Sequence, residues 1–478
     1  MKWNKLIENI QGLSGDTIPE TTEIKGVTDQ STEVEEGFVF VAVKGFKNDG
    51  HRYISQAIEK GASVIIGQQD IELKDTPYIK HENTRKLLGQ LAASYHNNPT
   101  KTKLVIGVTG TNGKTTTGLF LTHLLRKKGY TVSFFGTVFN EMNGERTKSS
   151  LTTPSASTIQ KALAESNDEA VVIEVSSQGL EQHRMEGMSF DYALFTNLQH
   201  DHLDYHNTIE EYFFAKKKLF ALLKDSGKAI VNEDDKWGEK LSQLLTEEGL
   251  TVLTVGEKHQ YTRYHLEGST QGSCTIGDKA YAVELPLPGK YNLSNLSMAM
   301  TVLQDLNEDI TNISQVMKDL EPIPGRFEVE TLSENVKGVI DYAHTAEALQ
   351  GLLPTIKEIY PNHRLVHIFG FRGNRDSTKR EKMMQISAQF SDETILTLDD
   401  LNGLSEDAME AKYLEFVKDQ PSGQVKIILD RTIAISDATK NATEPTLVVV
   451  TGKGHESYQQ DFELSLKSDK ETFLFLKK

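Results

Sequence analysis

The sequence predicts an α/β protein built of three domains. Its 478 residues are too many for one hydrophobic core, because single domains mostly hold about 150 residues. Apolar runs rich in β-branched residues alternate with helix-length segments, a pattern typical of parallel sheets covered by helices. Clusters of turn-forming residues interrupt this alternation at 97–100 and 322–325. We therefore divide the chain into residues 1–98, 99–324 and 325–478.

The first segment, 1–98, is predicted to be a small α/β domain. FVFVAV at 38–43 is a β-branched run that predicts a buried strand. AIEKGASVIIG at 57–67 predicts the end of a helix, a glycine turn and a second strand. The turn cluster Asn97-Asn98-Pro99-Thr100 then ends the unit.

The other two segments each predict a larger sheet. Between 99 and 324, strands are predicted at 103–108, 170–175 and 192–198 and a helix at 116–129, so we expect a mostly parallel sheet with helices on both faces. Pro322-Ile323-Pro324-Gly325 breaks this pattern and is the predicted hinge. Beyond it, a doubly wound, Rossmann-like domain is predicted from five apolar runs, at 336–343, 365–371, 393–400, 425–430 and 446–452.

Composition and charge narrow the class of protein. With 37% hydrophobic and 25% charged residues the chain is typical of folded proteins. The 68 acidic and 52 basic side chains give a net charge of −16, which disfavours nucleic acid as a partner. The sequence has no apolar run of the roughly 18 residues that span a bilayer, and its beginning lacks the apolar core of a secretory signal. A single cysteine, Cys274, fits a reducing compartment, so we expect a cytoplasmic protein. We also expect no membrane insertion and a monomer.

A glycine-containing loop after the strand at 103–108 predicts a phosphate site. TGTNGKTT lies between a strand and a helix, where free backbone N–H groups and the helix dipole attract phosphate. Lys114 adds a point charge, and the Thr115 hydroxyl is suited to bind Mg²⁺. The strict P-loop pattern has glycine where this chain has Val108, yet a P-loop ATPase-like central domain is predicted. The candidate ATP-binding residues here are Gly110, Thr111, Asn112, Gly113, Lys114, Thr115 and Thr116.

Residues typical of metal ligands follow two later strands. Glu174 ends the strand at 170–175, at the sheet edge where ligands of open α/β sheets bind. The segment 200–206, HDHLDYH, holds three histidines and two aspartates. Histidines first suggest zinc, but carboxylates with Mg²⁺ suit a phosphate site better. The next segment, 211–220, predicts an amphipathic helix with a lysine cluster, which by itself indicates a solvated face.

In this order, the motifs resemble the Mur ligase family, and within it the MurE branch. The resemblance is carried by E-V-S-S at 174–177, N-L-x-x-D-H-L-D-x-H at 197–206 and Y-x-x-A-K at 212–216. It implies that CO₂ converts Lys216 to a carbamate. It also implies two Mg²⁺ ions, one held by Thr115 and Glu174, the other by His202 and the Lys216 carbamate. The catalytic residues implied are Lys114, Lys216 and His202.

Further motifs of the same family cover nearly the whole chain. Ser31 matches a uridine contact of the first domain, although the family's D-S-R is here Gln30-Ser31-Thr32, and Gln178 replaces a usual histidine. The other sugar-nucleotide contacts implied are Thr152, Thr153, Ser177 and Arg184. The other ATP contacts implied are Asn292, Asn295, Arg326, Asp341 and His344.

The third domain of the family selects an amino acid. FGFRGNRD at 369–376 resembles F-G-x-G-G-D-R-D, which makes Arg375 the match for the arginine that meets the amino acid carboxylate. TGKGHE at 451–456 matches G-K-G-H-E, so Gly452 and Glu456 are implied side-chain contacts. The D-N-P-R loop that recognises diaminopimelate is replaced by TLDDLNG at 397–403. Without that guanidinium the distal carboxylate lacks a bidentate partner, so diaminopimelate is not the expected acceptor.

The resemblance implies an ATP-dependent amide ligase. The expected reaction adds the third amino acid to UDP-N-acetylmuramoyl-L-Ala-D-Glu through an acyl phosphate in peptidoglycan synthesis. The expected partners are therefore that nucleotide and a free amino acid. Two alternatives stay open: a paralogous ligase with another acceptor or peptide in a specialised pathway, and an inactive nucleotide-binding scaffold.

Overall fold

The chain forms three separate sheets. The computed structural model describes residues 1–10, 13, 18–45, 48–258, 260–418 and 424–477. The sheets hold 4, 11 and 6 strands and lie within 26–80, 104–284 and 328–451. The boundaries predicted near 98 and 324 each fall between two sheets. No helix within the described ranges is long and apolar enough to cross a membrane.

The first sheet is small and parallel, with strand order β1-β2-β3-β4. Its apolar residues pack on helices on either side, including Trp3 and Leu91 on one face and Ala57 on the other. The predicted strand at 38–43 ends two residues earlier, at Val41. The elements are α1 (Trp3–Ile7), β1 (Gly26–Thr28), β2 (Phe38–Val41), α2 (Ile54–Glu59), β3 (Val64–Gly67), β4 (Tyr78–Lys80) and α3 (Thr84–Tyr95), with 3₁₀ turns at Ser31–Glu33, Gly50–Tyr53 and Pro99–Lys101.

The central sheet has β5 in its interior, between β10 and β9. Helices cover both faces, as predicted, with Phe120 and Leu296 in one core and Ile159 and Leu241 in the other. The elements are β5 (Leu104–Thr109), α4 (Lys114–Lys127), β6 (Val132–Phe135), β7 (Phe139–Met142), β8 (Glu145–Lys148), α5 (Ala156–Glu165), β9 (Ala170–Glu174), α6 (Ser177–Glu181), β10 (Phe190–Phe195), α7 (Leu203–His206), α8 (Ile209–Lys217), a 3₁₀ turn (Lys218–Leu222), β11 (Leu223–Asn232), α9 (Lys236–Glu247), β12 (Thr251–Gly256), β13 (Thr262–Glu267), β14 (Gln271–Ile276), β15 (Lys279–Glu284), α10 (Lys290–Asp305) and α11 (Ile313–Met317).

The edges of the central sheet are antiparallel, which the sequence pattern did not indicate. The strands from β13 through β6 in the sheet order run parallel, whereas β14 and β15 at one edge and β7 and β8 at the other run antiparallel. The edge strand Glu145–Lys148 contains no apolar residue and is exposed along its length. Such a strand lacks the hydrophobic run from which buried strands are predicted.

The third sheet has the order β16-β17-β21-β18-β19-β20, and all its pairs are parallel except β16 with β17. The five predicted strands are present with shorter ends, and the antiparallel strand Glu328–Thr331 adds to them. The elements are β16 (Glu328–Thr331), β17 (Val336–Asp341), α12 (Ala346–Ile359), β18 (Arg364–Phe369), α13 (Arg380–Phe390), β19 (Glu393–Leu396), α14 (Glu406–Val417), β20 (Val425–Ile427), α15 (Arg431–Lys440), β21 (Thr446–Thr451) and α16 (Asp469–Leu476).

Candidate active site

The phosphate loop joins the end of β5 to the start of α4. Gly110 and Gly113 have φ of +148° and +87°, and Lys114 is the first residue of the helix. A Cβ on Gly113 would lie 2.5 Å from Oδ1 of Asn295 on α10, so only glycine fits against that helix. Free backbone N–H groups at this helix start therefore lie at the carboxyl edge of the sheet, where chain order reverses around β5.

Two lysines, the half-buried Lys114 and the buried Lys216, share one backbone carbonyl in this loop. Nζ of Lys114 donates to the Gly110 carbonyl at 2.9 Å and to the Thr111 carbonyl at 2.9 Å. Nζ of Lys216, which is 1% exposed, donates to the same Gly110 carbonyl at 2.7 Å. Within the described part of the chain, neither lysine has a carboxylate within 4.0 Å. Lys216 therefore does not lie on the solvated face that its lysine cluster by itself indicated.

Burial lowers the pKa of both lysines. For Lys114 the nearby Glu174 charge partly opposes this effect. For Lys216 the Lys114 charge adds to burial and holds the pKa well below its usual range. Lys216 is thus suited to be a neutral amine, and Lys114 has no carboxylate of the described residues in direct contact. Such a site favours anionic ligands.

Glu174 lies at the end of β9, fully buried beside the loop. Its carboxylate accepts hydrogen bonds from the hydroxyls of Thr115 at 3.0 Å and Thr137 at 2.9 Å, and from the Thr137 N–H at 2.9 Å. The structure therefore brings together Thr115 and Glu174, the predicted ligands of one Mg²⁺. A buried carboxylate beside a hydroxyl suits the oxygen preference of this ion.

The segment 200–206 lies on the other side of the loop. His202 has a positive φ of 57°, its side chain is 43% exposed, and its ring contacts Tyr212 edge-on at 5.9 Å between centroids. Lys216 Nζ lies 4.3 Å from the centroid of the same Tyr212 ring, so the tyrosine stands beside both predicted ligands of the second Mg²⁺. No group of three His, Cys, Asp or Glu side chains suited to a metal occurs among the residues the structure describes.

The third domain reaches the phosphate loop through several side chains. Arg326 Nη2 donates to Oγ1 of Thr115 at 3.3 Å, and Asn112 Nδ2 donates to Oγ1 of Thr345 at 3.2 Å. His344 lies 3.3 Å from Asp201, which also pairs with Lys379 at 2.8 Å. The two domains are therefore closed over the loop.

The remaining predicted ATP residues lie on the same surfaces. Asp341 ends β17, and its carboxylate accepts from the N–H groups of Phe327 and Ala343 at 2.8 Å each, which fixes the turn before His344. Asn292 and Asn295 are buried on α10. Asn197 and Lys379 were not predicted as site residues. Asn197 accepts from the Asn112 N–H at 3.0 Å, and it was already part of the N-L-x-x-D motif.

A cleft between the first and central domains contains some of the predicted sugar-nucleotide contacts. Arg184 lines it and donates to the Thr153 carbonyl at 2.8 Å, whereas Ser177 contacts His206 at 2.8 Å. Thr152 and Thr137 hydroxyls lie 3.1 Å apart. In the first domain Ser31 donates to Gln56 at 2.7 Å. The cleft lining is Asp29, Val43, Arg85, Leu88, Leu151, Ser155, Ala156, Gln182, His183 and Arg184.

Two of the predicted acceptor residues, Arg375 and Glu456, contact different partners. Arg375 is 48% exposed and pairs with Asp204 of the central domain at 2.8 Å. Glu456 accepts from the Tyr342 hydroxyl at 2.9 Å and pairs closely with Arg372, three residues before Arg375. Gly452, with φ of +100°, follows β21.

Two cations near Glu456 were not predicted. Arg372 occupies a glycine position of F-G-x-G-G-D-R-D, a departure visible in the sequence. Lys453 is 1% exposed and pairs with Asp400 at 2.6 Å and Asp399 at 3.4 Å. Burial opposes the charge of Arg372, but Tyr342 and Asp399 favour it and its pKa is raised. Burial opposes ionisation of Asp399, yet Arg372 and Lys453 hold its pKa below the usual value. These two cations and the carboxylates of Asp399, Asp400 and Glu456 form one cluster of ion pairs, which we call the acceptor pocket.

These features define the class: the chain belongs to the Mur ligase family. Models of that family match it in three parts, the Mur ligase family catalytic domain at 23–96, the Mur ligase middle domain at 108–303 and the Mur ligase glutamate ligase domain at 325–454. The predicted family, the three-domain α/β fold and the ligase class are confirmed.

Two relatives that carry one name match the chain over nearly its whole length. The chain is 34% identical over 466 residues, 94% of each chain, to a UDP-N-acetylmuramoyl-L-alanyl-D-glutamate–2,6-diaminopimelate ligase of Clostridium perfringens (strain 13 / Type A). It is 36% identical to the ligase of that name from Aquifex aeolicus (strain VF5), covering 91% of this chain and 90% of that one. A solved structure with that name has a TM-score of 0.69 at 24% sequence identity, and the match covers 100% of this chain and 98% of that one. The structure of MurF ligase from Thermotoga maritima in complex with ADP has a TM-score of 0.66 at 22% sequence identity, and the match covers 90% of this chain and 94% of that one.

Proposed function

We propose that this chain uses ATP to join an amino acid to UDP-N-acetylmuramoyl-L-alanyl-D-glutamate. The relatives named for that nucleotide match the chain along at least nine-tenths of its length. The observation that carries the proposal is the Gly110 carbonyl, which accepts from both Lys114 and Lys216, neither of which contacts a carboxylate of the described residues directly. A site of this charge suits the phosphates of ATP and an acyl phosphate.

The reaction proposed has two steps. A carboxylate oxygen of the nucleotide attacks the γ-phosphorus of ATP, the bond to the β-phosphate bridging oxygen breaks, and ADP leaves. The amine of the acceptor then attacks the acyl carbon, inorganic phosphate leaves, and the nitrogen loses a proton. Lys114 stabilises the charge of the transferring phosphoryl group. The closed third domain, through Arg326 and Thr345, excludes the water that would hydrolyse the acyl phosphate.

Mg²⁺ and a lysine carbamate fit the residues present. Thr115 and Glu174 would hold one ion, and Lys216 with His202 the second; bound Mg²⁺ would neutralise phosphate charge. The neutral Nζ of Lys216 would add to CO₂, forming an N–C bond and releasing a proton to water. Its burial and its proximity to Lys114 support this chemistry, because a carbamate replaces like-charge repulsion with attraction. The domain limits 1–98, 99–324 and 325–478, the other site residues and the cytoplasmic, monomeric state stay predictions.

The test is ATP turnover with a defined nucleotide. Purified protein with Mg²⁺, ATP and UDP-N-acetylmuramoyl-L-Ala-D-Glu should release ADP when one member of an amino acid panel is added, and mass spectrometry should show the tripeptide nucleotide. Omission of the nucleotide is the control. Absence of turnover with every amino acid would refute the proposal.

A second candidate is a paralogous ligase for another peptide. The observations in its favour are Gln30 and Gln178, which stand among the sugar-nucleotide contacts where the family has an aspartate and a histidine. The same panel with other peptidyl nucleotides separates the two candidates, since only the paralogue would prefer one of these.

A further inference from the structure

Arg372 holds unused donors inside the acceptor pocket. It follows β18, and its Nη2 donates to Glu456. Its Nε is buried and makes no hydrogen bond with any described residue, and Oδ1 of Asp399 lies 3.7 Å from it, beyond hydrogen-bond distance. Burial of an unpaired donor on a charged group is unfavourable, which points to a ligand that accepts from it.

The neighbouring carboxylates already have cationic partners within the chain. Lys453 Nζ lies 2.6 Å from Asp400 and 3.4 Å from Asp399. Glu456 accepts from Tyr342 and from Arg372. A ligand group entering this pocket therefore meets an Arg–Glu ion pair in which the guanidinium has donors left. Such a pair is complementary to an ammonium and a carboxylate on one carbon.

Two arginines of one loop contact different domains. Arg375 contacts Asp204 of the central domain, whereas Arg372 packs against the third domain, beside Asp399 and Glu456. Residues three apart along a chain are separated by at most about 10 Å. An acceptor lying along this loop with a carboxylate at each end could bind both guanidinium groups.

The loop at 397–403 lies directly beside Arg372. Asn402 Nδ2 donates to the Gly373 carbonyl at 3.0 Å, and Asn374 Nδ2 donates to the Asn402 carbonyl at 2.8 Å. The two loops are thus joined next to Arg372. A guanidinium that is missing from one loop is present on the other.

We propose that Arg372 determines acceptor specificity by binding the distal carboxylate of a diamino dicarboxylic acid such as 2,6-diaminopimelate. This inference rests on the proposed ligase function. It reverses the expectation drawn from the missing D-N-P-R arginine. Lysine shares the distal ammonium but lacks the carboxylate, so the chain should discriminate against it.

The test compares two acceptors that differ by one carboxylate. ADP release is measured with UDP-N-acetylmuramoyl-L-Ala-D-Glu and either meso-diaminopimelate or L-lysine. The native chain should have the higher kcat/KM for diaminopimelate. Arg372→Gln should lower the ratio of the two kcat/KM values by about ten- to a hundred-fold, mainly through the KM for diaminopimelate. The exposed Lys382, paired with Glu347, supplies the control Lys382→Gln, with an unchanged ratio.

Several outcomes would overturn the inference. One is a native chain that prefers lysine. Another is an Arg372→Gln variant whose rates fall equally with both acceptors, and a third is a variant whose rate with diaminopimelate does not fall. If that variant does not fold, Arg372→Lys keeps a cation but not the forked donors, and an unchanged ratio there is equally fatal. The double variant Arg372→Gly, Asn402→Arg moves the guanidinium to the adjacent loop and should regain the preference. No ADP release from the native chain with any acceptor would instead refute the ligase function.

Discussion

Two groups of basic side chains in this protein have opposite surroundings. At the phosphate loop, Lys114 and Lys216 donate to backbone carbonyls alone and have no carboxylate partner within the described ranges. In the acceptor pocket, Lys453 and Arg372 each contact carboxylates, from Asp399, Asp400 and Glu456. The lysines of the first site thus make no direct ion pair with the described residues, whereas the cations of the second site are directly paired.

The difference separates two ways of binding a ligand. Unpaired buried charge destabilises the free protein and favours any suitable anion, which suits a site for phosphates. Paired charge contributes little net potential, so recognition depends on where individual donors and acceptors lie. We therefore expect substitutions at the first site to abolish catalysis without loss of stability, and those in the second to affect stability and acceptor choice.

Replacement of Lys114 is the strongest test of this contrast. Lys114→Met should lower the rate of ADP release by at least about a thousand-fold, because phosphoryl transfer depends on positive charge at the phosphates. Its free energy of unfolding should not fall, since the lost cation has no carboxylate partner. The control is Lys127→Met on the same helix, where Lys127 pairs with Asp319 at the surface. A Lys114→Met variant that keeps its activity would remove the basis of the comparison.

Replacement of Lys453, in contrast to that of Lys114, should lower the free energy of unfolding. Lys453→Met leaves Asp399 and Asp400 buried without their lysine, which should lower the free energy of unfolding by about 3 to 5 kcal/mol. Urea denaturation followed by circular dichroism measures the loss. The exposed pair of Lys357 and Asp392 supplies the control, Lys357→Met, with a change below about 1 kcal/mol. Equal stability of the two variants would show that the acceptor pocket is not held by its ion pairs.

Replacement of Lys216 tests whether the phosphate loop takes up CO₂. Lys216→Ala should lower ligation by about a hundred-fold or more, as removal of one group that stabilises developing charge does. A short carboxylic acid such as formate should restore part of the rate in this variant alone, because it supplies the missing oxygens. Lys217→Ala is the control, since Lys217 pairs with Glu248 at the surface. Undiminished ligation by Lys216→Ala would exclude the carbamate role.

The sequence predicted the parts of the fold that depend on apolar runs. The strand before the phosphate loop and the five strands after 325 have clear hydrophobic signals, and the structure contains them. The edge hairpin at Phe139–Lys148 has few apolar residues, so periodicity could not reveal it. The family motifs predicted that Glu174 and Thr115 lie together, and the structure brings them together. The ion pairs of Arg372 and Lys453 with distant carboxylates could not be predicted from the sequence. Arg372 stood as one departure from a motif, and only its contact with Glu456 gives it a role.

The acceptor domain should also respond to mild acid. His367, fully buried on β18, lies 2.7 Å from Ser387 Oγ and 3.0 Å from Thr451 Oγ1. Burial, with the Arg431 charge, lowers the pKa of His367 to about 3. The unfolded chain takes up this proton below about pH 6.5 and the folded chain only near pH 3, so stability is complete above pH 6.5 and is lost as pH falls through this window.

From pH 7.5 to 5.5 the loss attributable to His367 should be about 1.4 kcal/mol. Urea unfolding at both pH values gives the slope of the unfolding free energy against pH for the native chain and for His367→Gln, which cannot titrate there. The difference between the two slopes is the contribution of His367. Equal slopes would mean that the ring accepts a proton without unfolding. Thr451, which contacts His367, directly precedes Gly452. A loss of stability confined to the unfolding transition of the third domain would show that acid loosens the acceptor pocket and leaves the phosphate loop intact.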